Sequence, residues 1–300
     1  MTNLFVGNSY VLGMDIGGSH VTAGLVDLDN GLIVQDSLRR VELDSQGSTE
    51  EILNVWRGIV ESCYSDMSKH IGLAMPGPCD YERGICHIDG LSKYSNLYGL
   101  NVCETLAHAL SIPEENIQMT NDAACFLQGE LDMGVGRKYQ HPIGITLGTG
   151  CGTAKIRHGV GVDGELWQYP FNDGIVEDFI STKWFKRRYS ELTGQEISGV
   201  KELTEMSNSE PSIRSVFKEF GFNLAKLIGL FVSEENPDAI ILGGNMLKAQ
   251  HIFLPKVQAE LTKTGIKEPI HLSTLGESAA ILGAASAYVK KKMNLKSKIA

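Results

Sequence analysis

The sequence predicts an α/β protein built as two lobes with a cleft between them. Three observations carry that expectation. A glycine-rich hairpin occurs twice, strand-like and helix-like apolar runs alternate between and after the two copies, and 300 residues exceed the usual size of one α/β layer unit.

Taken in order, residues 10–14 (YVLGM) and 20–28 (HVTAGLVDL) are β-rich runs around the turn Asp15-Ile16-Gly17-Gly18-Ser19. Residues 49–66 carry the apolar spacing of an amphipathic helix, 71–77 (IGLAMPG) reads as a strand ending at a Pro-Gly turn, and 101–110 as a second helix. The runs 143–147 (IGITL) and 152–157 (GTAKIR) repeat the hairpin plan around Gly148-Thr149-Gly150-Cys151. Beyond them, 175–193 and 211–236 have helical periodicity, 238–242 is a short buried strand running into Gly243-Gly244, and 277–292 is a final helix. This order divides the chain into a smaller lobe, 1–121 plus 286–300, and a larger one, 122–285, joined near 121–125, with the last helix returning to the first lobe.

Composition narrows the partners. A formal net charge of -9 and a pI near 5.4 disfavour nucleic acid, which calls for a clustered basic surface. The terminal lysines 290–292, 296 and 298 read as a solvated helix end. The apolar stretches 223–232 and 278–289 stop well short of the roughly 18 residues that span a bilayer, and the opening MTNLFVGNSY has no secretory pattern, so a cytoplasmic protein without membrane partners is expected. Six cysteines, at 63, 79, 86, 103, 125 and 151, form no CxxC pair and are expected as reduced, buried thiols without zinc.

The two hairpins suit phosphate. Backbone N–H groups converge on phosphate oxygens only where side chains do not block the approach, which Gly17, Gly18, Gly148, Gly150 and Gly152 allow. Asp15 ends its strand beside the first turn, where a carboxylate can hold the water shell of a Mg²⁺ ion, and Thr149 brings a hydroxyl to the second. Either segment alone is equally an ordinary tight hairpin. Neither is a Walker A loop, since no Gly-Lys-Ser/Thr follows, and neither opens a helix as a dinucleotide fingerprint does. Gly243-Gly244-Asn245 after a buried strand can be a helix cap or bare backbone beside adenine.

With these segments in order, the chain resembles the ROK family of sugar kinases, repressors and open reading frames, within the actin-like ATPase and sugar kinase superfamily. The resemblance rests on LGMDIGGSHVTAGLVD (12–27), AMPGP (74–78), NLYGLNV (96–102), NDAACFLQGE (121–130), ITLGTGCGTAKIRHG (145–159), PDAIILGGN (237–245) and LGESAAILGAA (275–285). It implies a two-lobed actin-like (ribonuclease H-like) fold, ATP and Mg²⁺ in the interlobe cleft, a hexose acceptor and a homodimer. It also implies that Asp122 is the catalytic base and that Gly77, Asn96, Asn121, Glu165, Gln168 and Glu177 contact the sugar. Asp15, Gly17, Gly18, Ser19, His20, Gly148, Thr149, Gly150, Gly152, Gly243, Gly244 and Asn245 then line the nucleotide, with Asp15 reaching Mg²⁺ through water.

The chain departs from the family in two places. Family members carry a GH dipeptide and a zinc-binding cysteine cluster where this sequence has Glu165-Leu166-Trp167-Gln168 and then only Tyr169 to Asp173, so no structural zinc is expected and Gln168 replaces a sugar-contacting histidine. Ser19-His20 stands where Thr-Lys is common, which makes the charge at position 20 conditional on pH. Asn121-Asp122 is also a helix N-cap signature, and Glu165 and Glu177 taken alone are ordinary exposed acids.

The resulting expectation is an ATP-dependent hexokinase of glucokinase type, acting on the 6-hydroxyl of glucose or a close relative. An N-acetylated hexosamine as acceptor, polyphosphate as donor and a non-catalytic sugar sensor remain open. A transcriptional repressor is disfavoured by the acidic charge and by a first strand that begins near residue 10.

Overall fold

The computed structural model describes residues 9–63, 69–90, 93–207 and 210–299. The first hairpin is β1 (Tyr10–Ile16) and β2 (His20–Asp27), followed by β3 (Leu32–Ile33), β4 (Arg39–Glu42), α1 (Thr49–Cys63), β5 (Ile71–Met75), the small hairpin β6 (Cys79–Asp80) and β7 (Ile85–Cys86), α2 (Val102–Leu110) and β8 (Ile117–Asn121). These strands form a sheet in the order β3-β2-β1-β5-β8, with β4 also on β2; β1 and β2 are antiparallel, whereas β5 joins β1 and β8 joins β5 in parallel.

Helix α3 (Asp122–Met133) leads into β9 (Ile143–Leu147), β10 (Cys151–Arg157) and β11 (Val160–Asp163), then the short pair β12 (Pro170–Phe171) and β13 (Gly174–Ile175). Helices α4 (Val176–Phe179), α5 (Thr182–Thr193), α6 (Val200–Met206) and α7 (Pro211–Glu235) precede β14 (Ile240–Gly243), α8 (Gln250–Thr264), β15 (Ile270–Leu272) and α9 (Ser278–Ile299). The second sheet runs β11-β10-β9-β14-β15 and repeats the first, with an antiparallel hairpin followed by parallel strands.

Helix α1 forms because Ile52, Leu53, Trp56, Ile59, Val60 and Cys63 recur on one face and fill the core beneath the first sheet. Its expected residues 64–66 lie outside the described ones. The helical run expected over 175–193 is instead two helices. Ile180 leaves helical geometry and the Ser181 Oγ accepts the Trp184 N–H at 3.3 Å, so a serine N-cap starts α5 inside the periodic stretch. The strand expected from 238 begins at Ile240, because the Asp238 carboxylate accepts the Gln140 and His141 N–H groups and pins the approach.

Helices α3 and α9 cross between the sheets at backbone contact. A Cβ on Gly283 would lie 1.7 Å from the Cys125 carbonyl oxygen, and one on Gly129 would lie 2.1 Å from that of Ala279. The same helix α9 lies on the first sheet, and it runs unbroken through 285–286. Lys290 bonds Asp132 at 2.6 Å and Lys291 donates to the Met119 carbonyl at 3.1 Å, so these two lysines are tied down rather than solvated, whereas the side chains of 296 and 298 lie outside the described ones.

Candidate active site

The first hairpin is fixed from behind. Gly17 N–H donates to the His20 carbonyl at 3.0 Å and closes the turn. Its carbonyl accepts the Tyr94 hydroxyl, and Ser45 Oγ donates to the Gly18 carbonyl at 2.7 Å. Gly18 and Ser19 are left exposed at the tip, where Ser19 Oγ meets His20 Nδ1 at 3.1 Å. Burial and the Arg40 guanidinium hold the His20 imidazole below its ordinary pKa, so it is neutral at physiological pH. Asp15 behaves oppositely: burial above all, then the Asp122 and Glu277 carboxylates, push its carboxyl up to about 7, with Arg40 opposing.

The catalytic candidate stands where the chain crosses between sheets. Strand β8 ends on Asn121 and α3 begins at Asp122 with no loop between. The sequence leaves open whether this pair is a cap or a base, and the structure divides the roles. Asn121 Oδ1 accepts the Ala124 N–H at 3.0 Å and is the cap, whereas Asp122 Oδ1 accepts only the Ala123 N–H at 2.8 Å, so its other oxygen is free of the helix. The charge of Asp122 raises the pKa of Asp15, Asp163 and Tyr81 alike, so the carboxylate is felt both at the first hairpin and at the end of β11.

Tyr81 gathers two of the sugar candidates. Its hydroxyl donates to the Met75 carbonyl at 3.2 Å and accepts Asn121 Nδ2 at 3.1 Å, and a Cβ on Gly77 would lie 2.8 Å from it. The Asn96 amide is partly committed, since Nδ2 donates to the Gln46 and Gly47 carbonyls at 3.0 and 2.9 Å, leaving Oδ1 for a ligand. Asp163, not among the residues expected from the sequence, has its carboxyl pushed up to about 6. Burial raises it, the Glu165 N–H bonded at 2.8 Å opposes, and the charges of Asp122 and Glu165 raise it further. That bond also holds Glu165 in a left-handed conformation, φ 58°, with its side chain exposed.

The second hairpin is pinned through α5. Thr182 donates to the Gly148 carbonyl from its N–H at 3.1 Å and from Oγ1 at 2.9 Å. Glu177, expected among the sugar contacts, comes against this phosphate turn: its Oε2 accepts the Cys151 N–H at 3.4 Å and lies 2.2 Å from where a Gly150 Cβ would be. Thr149 is exposed at the tip. Gly152 faces α3, where a Cβ would lie 2.3 Å from Thr146 Oγ1 and 2.9 Å from Ala123 Cβ, so packing accounts for it.

Packing also accounts for the glycines at the end of β14. A Cβ on Gly243 would meet the Phe126 ring at 2.3 Å, and Gly244, at φ 91°, would meet the Leu147 carbonyl at 2.3 Å; Asn245 follows, exposed. Gln168 is exposed at the end of a short turn. The segment that departs from the family folds as the β12–β13 pair, with Phe171 in the core 5.7 Å from the Phe179 ring and Asn172 bonded by Lys226 at 2.7 Å.

A magnesium ion suits Asp15. Burial and two neighbouring carboxylates make its anion costly, so a divalent cation there would relieve the cost, and Mg²⁺ is ordinarily held by one or two carboxylates plus phosphate oxygens and water. Among the described residues no three His, Cys, Asp or Glu side chains gather as a self-sufficient metal site. Among them, too, no helix is long and apolar enough to cross a membrane. Sequence reasoning missed Tyr81, Tyr94, Arg40, Asp163 and Thr182, whose contacts come from residues distant in the chain.

Two sheets of repeated topology, each opening on a glycine hairpin and joined through α3 and α9, have the two-lobed actin-like ATPase fold with a cleft between the lobes. The ROK family model matches residues 11–291, and the chain belongs to the ROK family. It is 24% identical over 312 residues to a glucokinase of Thermotoga maritima, covering 92% of this chain and 96% of that one. It is 25% identical over 309 residues to an N-acetylgalactosamine kinase of a Shewanella species, covering 91% and 94%. A ROK family glucokinase from Streptomyces griseus, solved with glucose and AMPPNP, superposes with a TM-score of 0.73 at 21% identity, covering 92% of this chain and 98% of that one.

Proposed function

We propose that this protein is an ATP-dependent sugar kinase that transfers the γ-phosphoryl group to a hexose hydroxyl, with Asp122 as the base. One observation carries the reading: Asn121 caps α3, so the Asp122 carboxylate keeps an oxygen for a substrate hydroxyl, close enough to Asp15 of the first hairpin for its charge to act there.

Asp122 acts late. Carboxylates are weak bases, and sugar hydroxyls are weak acids. The proton moves as bond formation to phosphorus acidifies the hydroxyl, so Asp122 chiefly orients the nucleophile. The ground state is positioned by Gly77, Asn121, Asn96 Oδ1 and Glu165, with Gln168 and Glu177 at the margin. Ser19 and the turn N–H groups of both hairpins receive the phosphates, while Gly243, Gly244 and Asn245 flank the adenine. Asp15 would hold Mg²⁺ through water, and that ion would neutralise charge on the phosphoryl oxygens. We assign 1–121 plus 286–300 to one lobe and 122–285 to the other, and we expect a homodimer in the cytoplasm.

The acceptor we favour is glucose or a close relative at its 6-hydroxyl. An N-acetylated hexosamine is the second reading, supported by the kinase of that kind among the relatives. A panel of sugars with ATP and Mg²⁺, scored by ADP release and then by the position of phosphate on the product, tests both. Sugar binding without sugar-stimulated ADP release would sink the kinase reading in favour of a sensor, and turnover with polyphosphate alone would reassign the donor.

A further inference from the structure

Arg40 shares a row with Asp15. In the first sheet Asp15 pairs with Thr22, and Thr22 pairs with Arg40. Directly opposed residues project from the same face, so the three form one cross-strand row, with His20 and Glu42 next along it towards the turn. The opposite face, carrying Met14, Ile16 and Val21, is filled by the Trp56 core, so this row lies on the face that α9 packs against, where Glu277 precedes the helix. Strand spacing puts the Arg40 backbone roughly 10 Å from that of Asp15, within reach of an extended arginine. The guanidinium bears on both Asp15 and His20.

What Arg40 holds instead is an acid. Its Nη1 donates to Glu277 Oε2 at 2.8 Å, with 47% of the Arg40 side chain and 66% of Glu277 exposed, and an ion pair that open is weakly held. Around the hairpin tip the Asp122 and Glu277 carboxylates, with Asp15 titrating at about 7 and Glu42 further along the row, stand against Arg40; His20 is neutral, and the Lys93 stem passes 3.6 Å from a Cβ built on Gly18. A triphosphate entering here adds about four negative charges, which turn N–H groups alone match poorly, and a guanidinium can take two phosphate oxygens at once.

We propose that Arg40 is the phosphate-binding arginine of this cleft, exchanging Glu277 for the oxygens of the terminal phosphoryl group when nucleotide enters. This rests on the kinase reading above. Glu277 is the placeholder that keeps the guanidinium at the mouth of the site. Thr22, between Arg40 and Asp15 in the row, spaces the cation from the carboxylate so that one phosphoryl group can sit against both.

Calorimetric titration of the whole protein with Mg²⁺ and a non-hydrolysable ATP analogue, and separately with ADP, tests this for wild type, Arg40→Gln, Arg40→Lys and Glu277→Gln. Arg40→Gln is expected to lose about 10- to 100-fold in affinity for the analogue, less for ADP, with an unchanged melting temperature and sugar affinity. Arg40→Lys should recover part of the loss, and Glu277→Gln should bind the analogue at least as tightly as wild type. An Arg40→Gln protein that binds the analogue normally overturns the proposal, as does an equal loss for analogue and ADP, or a Glu277→Gln loss as large as that of Arg40→Gln. A wild-type protein that binds neither nucleotide overturns the kinase reading, and the proposal with it.

Discussion

Around the first hairpin, Arg40 and the Lys93 stem stand near an exposed tip among the Asp15, Asp122 and Glu277 carboxylates, whereas at the second the Glu177 carboxylate is bonded to the Cys151 N–H. Both turns close strands of matching topology, and both have a carbonyl tied to a distant hydroxyl, Gly18 by Ser45 and Gly148 by Thr182. Backbone duplication has therefore not duplicated the electrostatics. A phosphate chain drawn into the cleft meets at one turn a guanidinium whose exposed acid partner can be exchanged, and at the other a carboxylate bonded to the turn itself, so the first turn is the better place for the transferring group and the second for phosphates whose charge changes least.

The largest expected effect concerns the carboxylate at the start of α3. Asp122→Asn should lower kcat by about 10²- to 10⁴-fold, with sugar affinity and melting temperature nearly unchanged, because Asn121 remains the cap. Asn121→Ala should do the reverse in stability, costing about 1 kcal/mol through the lost cap bond. Thermal melts and steady-state kinetics on the two variants separate the roles. If Asp122→Asn lost stability and activity in proportion, the carboxylate would be a structural cap and not the base.

Much of this arrangement was legible in the sequence. The hairpins, the buried strands and α1 and α2 follow from local patterns of apolar residues and turn residues, and Asp15, Asn121 and Asp122 sit at the ends of such elements. What was not legible is set by register and by long-range bonds. Nothing in the order of residues says that Arg40 pairs with Thr22, that Tyr81 takes the Asn121 amide, or that Asp163 feels Asp122. The Glu177 contact with the second turn was not legible for the same reason: its neighbours are fixed by the break at Ser181, which helical periodicity conceals.

Asp15 gives the next effect, and its sign is definite. Its carboxyl is raised to about 7 in the folded chain from an ordinary 3.8, so between those values the unfolded state binds fewer protons and folding stability falls as pH rises. Below about 4 the group is protonated in both states and contributes nothing; above 7 the whole penalty is present. Asp15→Asn should therefore melt higher than wild type at pH 8, with the difference shrinking to zero by acid pH. It should also lose much of the stabilisation that Mg²⁺ and nucleotide confer on wild type. A difference independent of pH would mean that the asparagine acts through packing.

The smallest effect tests the second hairpin directly. Removing the Glu177 charge while keeping its shape, as Glu177→Gln, leaves an acceptor for the Cys151 N–H and takes away the anion that a phosphate must displace. The affinity for ADP should then tighten about two- to tenfold, more at low salt than at high, because a partly exposed carboxylate is screened. Arg40→Gln moves in the opposite direction, so the two substitutions have opposite signs if the turns differ in charge as drawn. Sugar affinity decides what else Glu177 does. An unchanged sugar affinity would confine Glu177 to the phosphate turn, whereas a marked loss together with unchanged ADP binding would return it to the sugar and erase the contrast between the hairpins.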